Sequence, residues 1–451
     1  MSTYDPLYDP VTDIGVGCGR DHAPTYWVAS AGALPATDGP VQGDMDVDVA
    51  VIGSGYTGLS CAIHLAKEHG IKATVLEANG FAFGCSTRNG GQAQISSGRL
   101  KRSQWISRWG LDVARGLHAE IGEAFDLFRD LIRDIDCDAQ DGGHLYIAHK
   151  PDRMATLEAE SGLLNSTFGY GTRIISQDEL RRDFLDDREA AGAMLEPDGI
   201  GVHPAKLAFG YARKARALGA RIHTSSEVIY WTTRDGAHYL RTPGGTVKAR
   251  AVAVATAAYT PNGLHPLMHH RLMPILSNCI VTRPLTKAEI DACNFRTRLV
   301  LTDTRTLRFY YRLLPGDRLQ IGSRSAITGA DAANDKHLDV LRKGIAAKFP
   351  ALAGIQIDYS WWGWVDVCHD MMPRIVQPDP SQKIFYAMGY GGNGVMYSAQ
   401  AGRRMAQLVA GKAAPKLPIF EGALPGRGPL TPFRRSGQRA MYAWYHYKDE
   451  R

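Results

Sequence analysis

The chain has 451 residues, 44% hydrophobic and 22% charged, enough for two or three packed domains with substantial cores. Its net charge of +6 comes from basic residues dispersed along the chain, which excludes a nucleic-acid-binding stripe and suits a mildly basic enzyme attracting anionic substrates. The longest nearly unbroken apolar run, residues 251–259, is about half of the roughly 20 residues that a membrane helix needs, and the seven scattered cysteines form no C-x-x-C pair, so neither a disulfide framework nor a metal site is expected.

The chain opens with MSTYDPLYDPVTD, an acidic stretch without the charged-then-apolar pattern of a signal peptide, and the expected location is cytoplasmic. Residues 47–77 then read as an apolar strand, a glycine-rich turn, a small-residue helix and a second strand ending in an acid. The turn is Gly53-Ser54-Gly55-Tyr56-Thr57-Gly58. Gly53 permits the tight turn, Gly55 lets the backbone approach a pyrophosphate, and Gly58 lets the helix pack closely on the sheet. The helix start supplies N–H groups and a positive dipole end to the phosphates. Glu77, followed by Ala78, stands where a carboxylate accepts hydrogen bonds from both ribose hydroxyls of an adenosine and repels a 2′-phosphate. A unit of this kind looks alike in NAD and FAD proteins.

Next comes FAFGCSTRNGGQ, residues 81–92, a small-residue loop with one cation, Arg88, and an Asn-Gly-Gly turn. Residues 103–136 carry apolar positions at three- and four-residue spacing and predict two amphipathic helices broken near Gly110. His203, beside Pro204 at the start of a helix over 205–218, is a candidate base or cofactor-side hydrogen bonder, with packing against the sheet as the alternative. Residues 225–231 and 239–242 predict a hairpin around Arg234-Asp235-Gly236, and residues 251–255 a strand ending in a small-residue turn at Ala257. Val228 and Ala257 are backbone contacts to a cofactor or ordinary core.

Residues 299–323 predict a second hairpin around Pro315-Gly316-Asp317. Tyr310 and Tyr311 point to opposite faces of its first strand, so at most one faces a cofactor. Arg312 is a candidate bidentate partner for a substrate carboxylate, or an outward salt-bridging residue. Trp361, Trp362 and Trp364 roof a substrate or pack between domains, and His369 and Asp370 lie beside the Met372-Pro373 turn. Residues 389–394 form a second G-x-G-x-x-G, Gly389-Tyr390-Gly391-Gly392-Asn393-Gly394, before a helix starting near Val395. No second strand ending in an acid follows, so it is not a second nucleotide site. The tail, with Pro415, Pro418, Pro425, Pro429 and Pro432 before an aromatic-basic end, is expected to wrap the surface rather than touch a membrane.

Pro24-Thr25-Tyr26-Trp27, the Gly53 fingerprint, Arg88-Asn89-Gly90-Gly91-Gln92, Gly201-Val202-His203-Pro204, Tyr310-Tyr311-Arg312, Met372-Pro373 and the loop 389–394 together resemble the FAD-dependent amine and amino-acid oxidases of the D-amino-acid oxidase superfamily, over nearly the full length. The chain departs from the family pattern at Gly392 and Asn393 and in the tryptophan-rich stretch 361–364. The resemblance implies an α/β fold: a Rossmann-like, glutathione-reductase-type FAD-binding domain (47–98, 199–264 and 366–411) interleaved with a discontinuous α+β substrate domain on a mostly antiparallel sheet (99–198 and 265–365). An extension, 1–46, precedes them and a tail, 412–451, follows. It also implies non-covalent FAD, with Cys85 packed rather than linked. Ser86, Thr87, Arg88, Asn89, Gly90, Gly91 and Gln92 would line the flavin, and residues 389–395 would aim a helix start at its pyrimidine. The candidate catalytic set is His203, Tyr310, Arg312, Trp364 and His369. The implied reaction is hydride transfer to flavin N5 from the carbon beside a neutral amine, with hydrolysis of the imine. Electrons then pass to O2, giving H2O2, or to a quinone or carrier protein. The implied substrates are gamma-glutamylated amines and cyclic imino acids such as L-pipecolate. A non-catalytic flavin-binding protein is the alternative from another class.

Overall fold

Strand Met45–Ile52 lies inside an eight-stranded sheet in the computed structural model, which describes residues 2–426 and 431–450. It pairs in parallel with Ala73–Leu76 on one side (Val49 opposite Ala73) and with Gly245–Val254 on the other (Val49 opposite Ala251). Arg221–His223 and Ile384–Met388 extend the parallel set, while Tyr230–Arg234, Ala237–Thr242 and Arg374–Val376 join antiparallel. The last four residues of Met45–Ile52 are buried without alternation, as a parallel strand covered on both faces requires. Helix Tyr56–His69 follows the glycine turn and ends at Gly70, whose φ of 67° is the left-handed cap that glycine adopts most readily. Helix Gly394–Val409 crosses it closely, and a Cβ at Gly402 would stand 2.5 Å from the Thr57 carbonyl oxygen.

The second eight-stranded sheet runs Ile357–Val367, Met273–Pro284, Arg318–Ser323, Tyr310–Leu313, Val300–Asp303, His144–Ala148, Gly192–Glu196, Arg173–Ser176. Every pairing is antiparallel except that of His144–Ala148 with Val300–Asp303. A small sheet of Gln92–Gln94, Gly199–Gly201 and Gln140–Asp141 links the loop after the fingerprint to this half. The expected helix pair is present as Arg102–Trp109 and Leu111–Ile132, divided at Gly110 with φ 82°. Leu117, Ile121, Phe125 and Phe128 of the second helix are buried in the core that also takes in Leu59 and Ile63.

One expectation changes. The strand predicted from residue 225 begins only at Tyr230, because Ser225 and Ser226 give their N–H groups to the carbonyls of Asn79 and Glu77. That segment therefore runs along the end of the acid-terminated strand instead of pairing in a hairpin. In the tail, residues Arg434–Glu450 form a helix clamped against the rest of the chain at both ends. Arg435 pairs with Asp9 at 2.6 Å, and Asp449 receives the N–H groups of Thr306 and Leu307. Pro429 lies outside the described residues. Among the described residues no helix is long and apolar enough to cross a membrane.

Candidate cofactor and substrate site

The glycine turn, the loop 81–92 and the start of helix Gly394–Val409 converge on one cleft. Gly53, Gly55, Tyr56 and Thr57 form its floor. Gly53 has φ 104°, and a Cβ there would lie 2.8 Å from the Ala255 carbonyl oxygen, so both conformation and space demand glycine. Gly58 does not line the cleft; a Cβ there would collide with the Gly53 carbonyl, which is the close helix packing expected of it. Ser54 is turned away too, its N–H and hydroxyl donating to Glu77 Oε2 at 3.0 and 2.7 Å. With the Asn79 N–H on Oε1 at 3.2 Å, three of the carboxylate's roughly four acceptor positions are taken. Glu77 lines the cleft with about one position left for a ribose hydroxyl, fewer than the two expected. Ala78, Val228 and Ala257 also line it.

Ser86 and Asn89 face the cleft from the next loop. Ser86 Oγ accepts the Tyr56 N–H at 3.0 Å, and the Asn89 amide staples the loop through the carbonyls of Cys85 and Ser86. Thr87 is buried behind it, donating to the Ala82 carbonyl, and Gly91 packs under Arg312. The Arg88 guanidinium lies over the Phe83 ring at 4.6 Å and near those of Tyr4 and Tyr259. Its Nε donates to the Phe83 carbonyl, whereas its Nη2 is buried without a partner. Such an orphaned donor beside a cleft is what a bound polar group would satisfy. Burial pushes the Cys85 thiol up to about 12, so it is neutral at physiological pH.

Gly392, Gly394 and Val395 bring the start of the late helix to the cleft; its cap residue, Asn393, makes no side-chain cap and its first turn holds no acid. The Asn393 amide instead donates to the Gly98 carbonyl at 2.6 Å. The uncapped helix start suits negative charge developing on a reduced flavin. Gly389 and Gly391 stand back from the cleft, the Gly389 N–H bonding Asp366 Oδ2 at 2.5 Å.

A second cavity adjoins the first, and Cys85, Asn89, Val365, Gly392 and Val395 line both. Tyr310 projects into it, with its hydroxyl 2.9 Å from Ser277 Oγ. Tyr311, on the opposite face as expected, buries its hydroxyl 2.5 Å from Asp187. Gly90 and Gln92 complete this wall, the Gln92 amide reaching the carbonyls of Leu301 and Tyr311.

Four of the five candidate catalytic residues do not reach this cavity. His203 caps helix Pro204–Ala217, its Nδ1 accepting the Lys206 N–H at 3.2 Å, and its ring packs edge-on against Trp27. Burial holds its pKa down at about 4. Arg312 is buried beneath Gly91 and Gly201, bonded to the Gln140 side chain at 2.7 Å and the Val202 carbonyl at 2.5 Å, so it holds the small sheet and lines neither cavity. His369 is exposed in a turn. Trp364 lines the first cleft with its ring covered by Arg435 and its indole N–H on the Tyr8 carbonyl. The residues that sequence reasoning missed are Arg99, Arg308 and Arg324, which line the second cavity. Their one local signal is the bareness of Gly391 and Gly392: Cβ atoms there would meet Arg99 Cγ at 2.8 Å and Arg324 Nη2 at 2.5 Å.

A mostly parallel sheet with a glycine-cradled dinucleotide cleft, sharing one wall with a second cavity on an antiparallel sheet, defines a two-domain flavin oxidoreductase. The FAD dependent oxidoreductase family matches residues 48–408, and the chain belongs to it. It is 34% identical over 401 residues to gamma-glutamylputrescine oxidoreductase of Escherichia coli (strain K12), covering 87% of this chain and 90% of that protein. It is 31% identical to the probable oxidoreductase OrdL of Haemophilus influenzae, covering 83% and 85%. Among solved structures, glycine oxidase from Geobacillus kaustophilus has the same fold, with a TM-score of 0.70 at 22% identity over 85% of this chain and 99% of that one. The protein is an FAD-dependent oxidoreductase.

Proposed function

We propose that this chain oxidises a C–N bond of an amine or amino acid and delivers the electrons to O2, giving H2O2. The observation that carries this reading is the shared wall between the dinucleotide cleft and the second cavity. FAD held by Gly53, Gly55, Ser86 and Asn89 would supply a two-electron acceptor for the hydride on the carbon beside a neutral amine, and water would convert the resulting iminium to a carbonyl and ammonia or an amine. The chain's own residues position and polarise. Glu77 holds the adenosine end, the start of helix Gly394–Val409 faces charge that builds on reduction, and Arg88 lines the second cavity. Tyr310, Gln92 and Asn393 offer polar contacts around the substrate. The residues lining the substrate cavity include no carboxylate and no histidine, while four are arginines. That surrounding positive charge disfavours an ammonium, so the amine sheds its proton to water on binding and needs no dedicated base.

The Escherichia coli relative's name makes a gamma-glutamylated amine the first substrate to try, with L-pipecolate as a cyclic alternative. We place the enzyme in the cytoplasm, where its seven free cysteines stay reduced. The test is an anaerobic screen of the yellow holoprotein against amines and amino acids. Bleaching of the oxidised-flavin band, reversed by air with release of peroxide, is the expected result. Bleaching that air does not reverse replaces O2 with a quinone or carrier, and no bleaching by any amine overturns the reading.

A further inference from the structure

The second cavity is built against cationic substrates. Arg88, Arg99, Arg308 and Arg324 line it and no aspartate or glutamate does. Among the described residues, none of the last three enters an ion pair, although most other arginines of the chain are paired. Arg308 Nε is buried without a partner, and its guanidinium lies 5.7 Å over the Tyr146 ring. Arg324 Nη2 has only the Gly391 carbonyl, at 3.2 Å. Burial and the two neighbouring cations push Arg99 well below its ordinary range. Grouping three guanidinium ions in a half-buried pocket is unfavourable unless something anionic enters, because each loses hydration and repels the others.

The surrounding chain is shaped to keep the three in place. Gly391 and Gly392 have φ of 66° and 90° and carry no side chain exactly where Arg99 and Arg324 lie across them. The Arg308 loop is held from outside by Asp449, which accepts the N–H groups of Thr306 at 2.8 Å and Leu307 at 3.1 Å. A single carboxylate occupies one guanidinium bidentately and leaves the others uncompensated.

We infer that the substrate is an amine bearing two carboxylates, one taken by the Arg99 and Arg324 side of the cavity and the other by Arg308. This rests on the amine-oxidation reading for the chemistry but not for the binding. A dicarboxylic amine enters as a species of net charge −1 and becomes −2 when the cationic wall displaces its proton, which also readies it as a hydride donor. Diamines such as putrescine carry the wrong sign.

The test uses the holoprotein and two non-oxidisable probes, glutarate and butyrate, titrated calorimetrically and by perturbation of the flavin spectrum at fixed ionic strength. Glutarate is expected to bind about tenfold or more tighter than butyrate. Arg308→Gln is expected to remove most of that preference at unchanged flavin content, and Arg324→Gln to do the same. If Arg324→Gln does not fold, the wild-type comparison and the loop variant Arg308→Gln still decide. Equal binding of glutarate and butyrate overturns the inference, as does an Arg308→Gln protein that keeps the full preference. In the companion anaerobic screen, bleaching by glutamate, aspartate or iminodiacetate at about tenfold or lower concentration than by glycine or sarcosine supports it. A glutarate preference with no amine bleaching would leave the anion site standing and remove the amine-oxidation reading instead.

Discussion

Arg312 and Arg308 are four positions apart and sit in opposite environments. Arg312 is 1% exposed, with donors on Gln140 and Val202 and its charge near the Trp27 ring, whereas Arg308 lines the second cavity. Arg312→Met should therefore destabilise the fold by about 2–3 kcal/mol, through an unsatisfied buried Val202 carbonyl and a half-buried Gln140 oxygen, with little change in KM for a productive substrate. Thermal unfolding beside steady-state kinetics checks this, and a raised KM at unchanged Tm would return Arg312 to the substrate. Glu77 offers a second residue-scale test. Its carboxylate accepts from Ser54 twice and from Asn79 once, and an amide cannot keep both Ser54 bonds without presenting its NH2 to a donor. Glu77→Gln should weaken FAD retention about tenfold or more, measured as flavin remaining after gel filtration. Glu77 was legible in the sequence because the strand and turn before it fix its place. Arg312 was not, because a Tyr-Tyr-Arg strand gives alternation of faces but not what the third side chain meets, and Gly91, Gln140 and Val202 come from three other segments.

Helix Arg434–Glu450 reaches the catalytic half through its last turns. Tyr442 packs with Leu307 and Ile327, and Asp449 ties down the loop that presents Arg308. Asp449→Ala frees two backbone N–H groups and lets that loop move. The expected result is a severalfold rise in KM with kcat nearly unchanged, since the cleft that holds the flavin lies elsewhere. A fall in kcat alone would disconnect the helix from substrate binding. The helix pair over residues 102–132 was readable from its apolar spacing, since a face repeating every three or four residues has few other solutions. The terminal helix was not: its aromatic and basic residues leave Trp444 59% exposed, and only the partners Asp9, Thr306 and Leu307 show which side docks.

The whole molecule carries a pH dependence built into its core. Burial depresses His203 from 6.5 to about 4, with Asp138 opposing that shift and Lys206 and Arg312 adding to it, and His64 is depressed likewise beside Glu68 and Arg403. Below about pH 6.5 the unfolded chain takes up protons that these buried rings refuse, so their share of stability is present at neutral pH and is lost as pH falls toward 4. For His203 that share is at most ~3 kcal/mol. His203→Asn keeps a side chain able to cap helix Pro204–Ala217 and removes the titration. The variant should lose less Tm than the parent between pH 7 and pH 5, and parallel losses would contradict the assignment.

Sequence alone determined the dinucleotide unit, because Gly53, Gly55 and Gly58 answer requirements of a turn, a close approach and a helix contact that all lie within a few residues of one another. It also determined the helix pair and the opposite facing of Tyr310 and Tyr311, which follow from the local periods of helix and strand. Tertiary structure alone decided the second cavity. Arg99, Arg308 and Arg324 sit in three separate loops, and Gly391 and Gly392 in a fourth, so only the packing of one sheet against the other brings their charges together. The same packing withdrew His203 and Arg312 into the interior, where desolvation and backbone partners, rather than residue type, set what each can do.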